Sequence, residues 1–392
     1  MELKRMAPLP DPIDLTRRLV GFETINPPGD EEACALFVGG LLELEGFDVR
    51  YHRMAPRRTS VVARRGGATG ARAELPPICL TGHLDTVPLG AAPWSHDPLG
   101  GAIVGDKLYG RGSSDMKAGV AAMIVAALRS KEALDAGPGA ILVFTAGEET
   151  GCDGARHLSD LPGALGAAGA IVVGEPTSNA PRIGHKGVLW LEAEARGVTA
   201  HGSMPELGVN AVYRAARLVG RLEDFGFNVA PHPALGSPSL NVGTFAGGSN
   251  INSVPDRAAI GIDIRTVPGM EHRHLAETLR GTLGSELAAL ETRLDLAPVW
   301  TEPGDPWITS AMAIAESITG STADPAGAPY FTDASILKKA YGGAPTLVLG
   351  PGEQSLAHKT DEYCYVQRIG EAADIYARLL ADWQSNAGRY RG

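Results

Sequence analysis

Apolar positions along this chain follow two rhythms, and the change between them marks its organisation. From residue 11 to 50 they recur at helical spacing, predicting an opening helix, a turn at Asn26-Pro27-Pro28-Gly29 and a second helix over 31–45. Continuous apolar runs then predict buried strands at 77–80, 140–145 and 169–173, with an Ala-rich helix over 116–130 and another near 153–160. Strands apolar on both sides, alternating with helices, indicate an α/β fold: a mostly parallel sheet covered by helices on both faces.

Near residue 182 the rhythm switches. Residues 188–195 alternate apolar and polar, a helix is predicted over 209–224, half-buried strands over 239–245 and 258–266, a helix over 271–288 and a strand over 292–299. The order βαββαβ predicts a compact antiparallel sheet with two helices on one face, the ferredoxin-like arrangement. A helix over 308–319 and a strand over 345–350 return to the first style and should rejoin the first sheet. The expected division is a catalytic domain made of 1–182 and 299–392, with 183–298 inserted as an α+β domain.

Composition narrows the class without choosing the function. The 392 residues are too many for one ordinary core, and 44% hydrophobic against 20% charged residues describe a soluble globular chain. A net charge of -10 with no long Lys/Arg cluster argues against a nucleic-acid partner, and Arg57-Arg58 and Arg64-Arg65 read as solvated edges of a strand. The charged start, Met1 to Met6, has no apolar run of signal-peptide length behind it, and no stretch approaches the roughly 18 apolar residues of a membrane helix. A cytoplasmic protein that does not engage the membrane is expected. Cys34, Cys79, Cys152 and Cys364 are widely spaced, so neither a disulfide framework nor a thiolate metal site is indicated, and buried positions are expected for them.

Several polar residues stand where an apolar run meets a Gly- or Pro-rich turn, so that each would leave a strand end towards a shared crevice. His83 and Asp85 are two apart in Thr81-Gly82-His83-Leu84-Asp85-Thr86; a His ligand commonly donates its second ring N–H to a carboxylate, which Asp85 could supply, while a lone strand-end His is otherwise satisfied by a loop carbonyl. Asp115, in Gly110-Arg111-Gly112-Ser113-Ser114-Asp115, reads either as a helix cap or as a carboxylate bridging two cations about 3.5 to 4 Å apart. Glu148 and Glu149 follow a buried strand and should point to opposite sides, which suggests one ligand and one general base rather than a pair on one metal. Glu175 ends the strand before Pro176, and His358 follows the turn Gly350-Pro351-Gly352. Nitrogen and oxygen donors without sulfur suit Zn(II), with Co(II) or Mn(II) as substitutes.

Taken together these motifs resemble the M20 family of zinc amidohydrolases and peptidases over nearly the whole chain. The resemblance implies two Zn(II) per subunit, His83 and Glu175 holding one, Glu149 and His358 the other, and Asp115 bridging them before a cis bond to Met116. Glu148, left over from the ligands, is read as the general base, and Asp85 as the catalytic-site residue that orients His83. Thr199-Ala200-His201-Gly202-Ser203-Met204-Pro205 resembles the family's lid motif, whose histidine reaches a partner subunit's site, and Asn252 and Arg265 resemble the lid residues that contact the substrate. By spacing alone His201 reads as a loop histidine and Arg265 as an exposed strand residue. The inserted domain is thus expected to be a lid and the dimer surface.

The activity implied is removal of an acyl group from a small N-acyl amino acid, of the acetylornithine deacetylase or succinyl-diaminopimelate desuccinylase type. An exopeptidase acting on a dipeptide or an acyl-glutamate uses the same motifs, and a binding protein that had lost the reaction would be expected to lack a ligand or the base. The segments 247–251 and 328–333 are expected to line the substrate pocket.

Overall fold

In the computed structural model, residues 9–67, 75–322 and 324–390 are described; the charged start at Met1 to Met6 lies outside them. The chain divides into two compact units, one of His185–Val299 with Gly327–Phe331 and one of the remainder.

The first unit is built on a six-stranded sheet. Its strands are β1 (Asp48–Ala55), β2 (Arg58–Arg65), β3 (Ile78–His83), β4 (Ala140–Thr145), β5 (Ala170–Val173) and, after the second unit, β10 (Thr346–Val348). They lie in the order β1-β2-β4-β3-β5-β10, parallel from β4 to β10 and antiparallel at β2 and β1. Every residue of β3 and β4 is buried, as strands covered on both faces must be. The apolar run at 77–80 therefore understates β3, because Thr81, Gly82 and His83 continue the ladder opposite Val143, Phe144 and Thr145. The buried Thr81 hydroxyl is satisfied by donating to the Val143 carbonyl at 2.9 Å.

The strand β1 is absent from the hydrophobic pattern for a physical reason. It is an edge strand of half-exposed Arg, His and Tyr residues, with no continuous apolar run to find. In β2 Thr59 to Ala63 are buried and the flanking arginines are half-buried rather than solvated edges, Arg58 pairing with the buried Glu31 at 2.8 Å and Arg65 with Asp135 at 2.6 Å.

The helix Ala118–Arg129 is buried on every side from Ala118 to Leu128 and packs against the long helix Val366–Asn386. Its start lies so close to the end of β5 that a Cβ on Gly119 would meet the Gly174 carbonyl, which glycine alone avoids. Trp307 and Trp383 meet edge to face at 6.1 Å deep in the same core.

The second unit is a four-stranded antiparallel sheet of β6 (Gly187–Arg196), β7 (Ser239–Gly247), β8 (Arg257–Thr266) and β9 (Ala289–Leu296), in the order β7-β8-β6-β9. Leu189, Leu191, Ala193 and Ala195 of β6 alternate inward with Ile260, Ile262 and Ile264 of β8. They meet Ala215, Leu218 and Leu222 of helix Ala211–Glu223 and Leu275, Leu279 and Leu283 of helix His272–Leu283.

In this unit the largest boundary differences from the sequence expectation lie after residue 270. The helix expected over 271–288 stops at Leu283, where Gly284 turns to φ 68, and the strand expected over 292–299 starts earlier, at Ala289, to pair with Glu194. All four cysteines are free and buried.

Candidate metal centre

The carboxyl ends of the parallel strands bring the candidate residues together. His83 is the last residue of β3, Glu148 and Glu149 follow β4, Glu175 follows β5, and His358 follows β10 on a loop. Asp115 comes from the wide turn Ser113–Lys117 before the helix Ala118–Arg129, with non-helical backbone and no side-chain cap bond to that helix, and its bond to Met116 is cis.

Two donor sets result, and Asp115 belongs to both. Ligand atoms of His83, Asp115 and Glu175 lie within 4.8 Å of one another, as do those of Asp115, Glu149 and His358. His83 Nε2 is 3.1 Å from Asp115 Oδ1 and 3.6 Å from Glu175 Oε1. On the other side His358 Nε2 is 3.4 Å from Asp115 Oδ2 and 3.0 Å from Glu149 Oε2. Each oxygen of one carboxylate thus faces a different set.

The donor chemistry fits a pair of divalent cations. Two imidazoles and three carboxylates without sulfur are borderline-to-hard ligands. Glu149 Oε1, buried and without a hydrogen-bond partner, is the sort of oxygen that a cation would satisfy.

The electrostatics say the same of the bare cluster. Burial pushes Glu148 and Glu175 well above the ordinary carboxylate range, with neighbouring carboxylates adding to it, and pushes Glu149 up to about 7 with Asp115 adding. Burial would lower His83, but Glu175, Asp115 and Asp85 outweigh it and hold the imidazolium well above its usual range. Hydrogen bonds to Asp115 and Glu149 raise His358 to about 10. Burial would raise Asp115 too, yet the two imidazoles hold it far below its ordinary value.

Asp85 is fully buried, and its carboxylate does more than face a histidine. His83 Nδ1 lies 2.9 Å from the backbone oxygen of Asp85 and 3.5 Å from Oδ1. The two carboxylate oxygens accept the backbone N–H groups of Glu148 at 3.1 Å and Glu149 at 3.2 Å, and Oδ2 also accepts Asn26 Nδ2 at 2.8 Å. The turn carrying both glutamates therefore hangs on Asp85. Glu148 is in neither donor set; its Oε1 lies 3.9 Å from the Cys152 thiol. Behind them Asp333, from the 328–333 segment, is buried against the Thr145 hydroxyl and is raised by burial to about 6.

His201, Asn252 and Arg265 belong to the second unit. His201 is exposed, its Nδ1 2.7 Å from Ser203 Oγ, and the Gly202 N–H donates to the Asn252 carbonyl at 2.7 Å, which keeps the two loops together. Arg265 pairs with Asp263 at 3.0 Å, with its guanidinium 5.8 Å from the Phe331 ring centre. Gly247, Gly248 and Ser249 line a cavity of about 710 Å³ in this unit, together with Thr199 and Ser253.

Three residues about the centre carry no role from the sequence, Asn26, Arg111 and Glu362, and Asp333 is foreseen there only as part of the 328–333 lining segment. A weak signal exists for two of them, since Asn26 opens the turn Asn26-Pro27-Pro28-Gly29 and Arg111 shares the Gly-rich run of Asp115, and none exists for Glu362.

A family profile described as peptidase family M20/M25/M40 matches residues 79–382. An acetylornithine deacetylase of Vibrio campbellii is 31% identical over 350 residues, covering 86% of this chain and 88% of that protein. A probable succinyl-diaminopimelate desuccinylase of Staphylococcus epidermidis is 29% identical over 406 residues, covering 94% and 98%. Among solved structures, an M20 family metallo-carboxypeptidase from Sulfolobus solfataricus superposes with a TM-score of 0.79 at 18% identity, covering 95% of this chain and 99% of its own. A dinuclear metal binding peptidase of the M20 family from Bacillus subtilis gives 0.70 at 17% identity, covering 95% and 98%. The last two speak for the fold.

Proposed function

This chain belongs to peptidase family M20/M25/M40 and is a metal-dependent amidohydrolase; on that premise we propose that it removes the acyl group from a small N-acyl amino acid at a centre of two cations. The reading rests above all on the division of the Asp115 carboxylate, Oδ1 towards His83 and Oδ2 towards His358. His83 with Glu175 would hold one cation, Glu149 with His358 the other, and Asp115 both; two Zn(II) suit five such donors, with Co(II) or Mn(II) as substitutes. Bound there, the cations would acidify a water and polarise the amide carbonyl.

Glu148 is the general base in this reading. It stands beside the ligands without joining either set, so its carboxylate is free to take the proton of the attacking water and to pass it to the leaving amine nitrogen. Asp85 positions it through the backbone N–H it accepts. Within the same proposal the inserted unit is the lid: His201 stabilises the reacting oxygen, and Asn252 and Arg265 receive the substrate's carboxylate. Exposed His201 and the planar, five-donor guanidinium of Arg265 support these roles. A homodimer through this unit is proposed as well, supported by its exposed apolar residues Val198, Leu207, Tyr213 and Phe245.

The relatives' names favour acetyl or succinyl amino acids as the substrate class. Metal-stripped protein, tested with and without restored Zn(II) or Co(II) on N-acetyl and N-succinyl amino acids and on dipeptides, should hydrolyse an acyl member only when the cation is restored. Turnover confined to dipeptides would transfer the protein to the exopeptidase reading. No hydrolysis of any member in the restored protein would leave a binding protein.

A further inference from the structure

Asp115 is presented by a turn that no regular element shapes. Gly112 sits at φ 83, and the backbone at Asp115 is extended rather than helical. What holds the turn is Glu362, four residues beyond His358 and fully buried. Its Oε1 accepts the N–H groups of Ser114 at 2.8 Å and of Asp115 itself at 3.0 Å. Its Oε2 accepts the Gly112 N–H at 3.1 Å and Arg111 Nη1 at 2.6 Å.

Arg111 is 1% exposed and extends the same clamp. Its Nη1 also donates to the Lys359 carbonyl at 3.2 Å and its Nη2 to the Pro88 carbonyl at 3.0 Å. Ser114 Oγ closes a second link by donating to the Tyr363 carbonyl at 2.7 Å. One buried carboxylate therefore joins the turn that carries Asp115 to the loop that carries His358. Three backbone donors converging on it fix orientation as well as position.

We propose that Glu362, backed by Arg111, is a positioning residue for the metal centre, and that its carboxylate sets the spacing between Asp115 and His358. This rests on the reading that those two residues hold metal. A buried ion pair that served only the fold would matter to stability but not to cation binding by the folded protein. Glu362→Gln keeps the shape, removes the charge opposite Arg111 and turns an NH2 towards backbone donors.

The test is Co(II) titration of the metal-free protein, followed by calorimetry and by the visible absorption of the bound ion. Glu362→Gln is expected to weaken Co(II) binding about 10- to 100-fold, at both positions because Asp115 is shared, and to shift the absorption bands. Leu380→Ala, a truncation elsewhere in the first unit's core, should lower the melting temperature and leave affinity and spectrum unchanged. Wild-type affinity and bands in Glu362→Gln would overturn the inference while leaving the centre itself intact. Failure of the unaltered chain to bind Co(II) would instead remove the reading beneath it. Should Glu362→Gln not fold, Arg111→Lys carries the same test: it keeps the charge, loses at least one of the two carbonyl links, and should show a smaller weakening, with unchanged binding again counting against the inference.

Discussion

In the first unit most of the side chains with the richest chemistry are out of water, His83 being 1% exposed, Asp85 0% and Glu175 5%, while His358, its side chain 55% exposed, closes the cluster from the solvent side. The sheet of the second unit displays its arginines outward instead, as Arg196 and Arg257, 74% and 66% exposed, reach over the largely buried Glu194, and Arg293, 52% exposed, meets Glu192. Both sets look alike in a list of charged residues. The buried set stands at the ends of parallel strands whose backbones cannot move apart, so its members repel, share protons and need a counter-charge. The exposed set can rearrange and be screened, so each pair contributes little.

That contrast is sharpest where a substitution removes a reacting group and nothing else. Glu148→Gln should lower kcat by about 10³-fold or more while the protein keeps its metal, as steady-state kinetics beside elemental analysis would show. Near-normal turnover would dismiss Glu148 as the base.

A smaller loss is expected one step behind the ligands. In Asp85→Asn an amide nitrogen replaces one of the oxygens that accept the Glu148 and Glu149 N–H groups, so metal affinity or turnover should fall by about 10- to 100-fold. Equal effects on both donor sets would argue that Asp85 acts through the glutamate turn; an effect on the His83 set alone would place its action on the imidazole.

Proton linkage gives a third measure of the metal centre, where the Glu149 side chain is buried and that of His358 is exposed. Glu149 rises from 4.5 to about 7 on folding and His358 from 6.5 to about 10, so the folded metal-free chain holds protons that the unfolded chain releases. Its stability should accordingly decline as the pH rises from about 5 towards 8. Cations compete with those protons, and the rise in melting temperature on adding Zn(II) should be larger at pH 8 than at pH 6. A metal-induced shift that is flat across this window would mean that the carboxylates are already ionised in the bare protein.

The smallest effect belongs to the second unit. Glu192→Gln breaks a pair with the exposed Arg293 and should move the melting temperature by about 2 °C at most. A much larger drop would show that the contrast between the units has been drawn too sharply.

Much of this arrangement could be read locally. The strand Ala140–Thr145 and the helix Asp153–Asp160 match the apolar pattern because short-range periodicity alone decides them. His83, Asp115, Glu149, Glu175 and His358 could be picked out as candidate donors because each follows an apolar run or a Gly-rich turn. Glu362 could not, since its partner Gly112 is 250 positions away and nothing in Asp361-Glu362-Tyr363 distinguishes a buried clamp from a solvated acid. The strand Asp48–Ala55 escaped for a related reason, its half-exposed face showing no run.

The amino-acid order by itself determined the kinds of element, the switch from continuous to alternating strands near residue 182, and the inventory of groups able to bind metal, all of which depend on neighbours a few residues apart. Only the tertiary structure decided that β3 lies between β4 and β5, which sets His83 beside both glutamate-bearing ends. It likewise decided that Asp115 turns one oxygen to each histidine and that Glu362 holds it there. Parallel pairing joins segments far apart in the chain, and its outcome depends on how the whole core packs rather than on any local pattern.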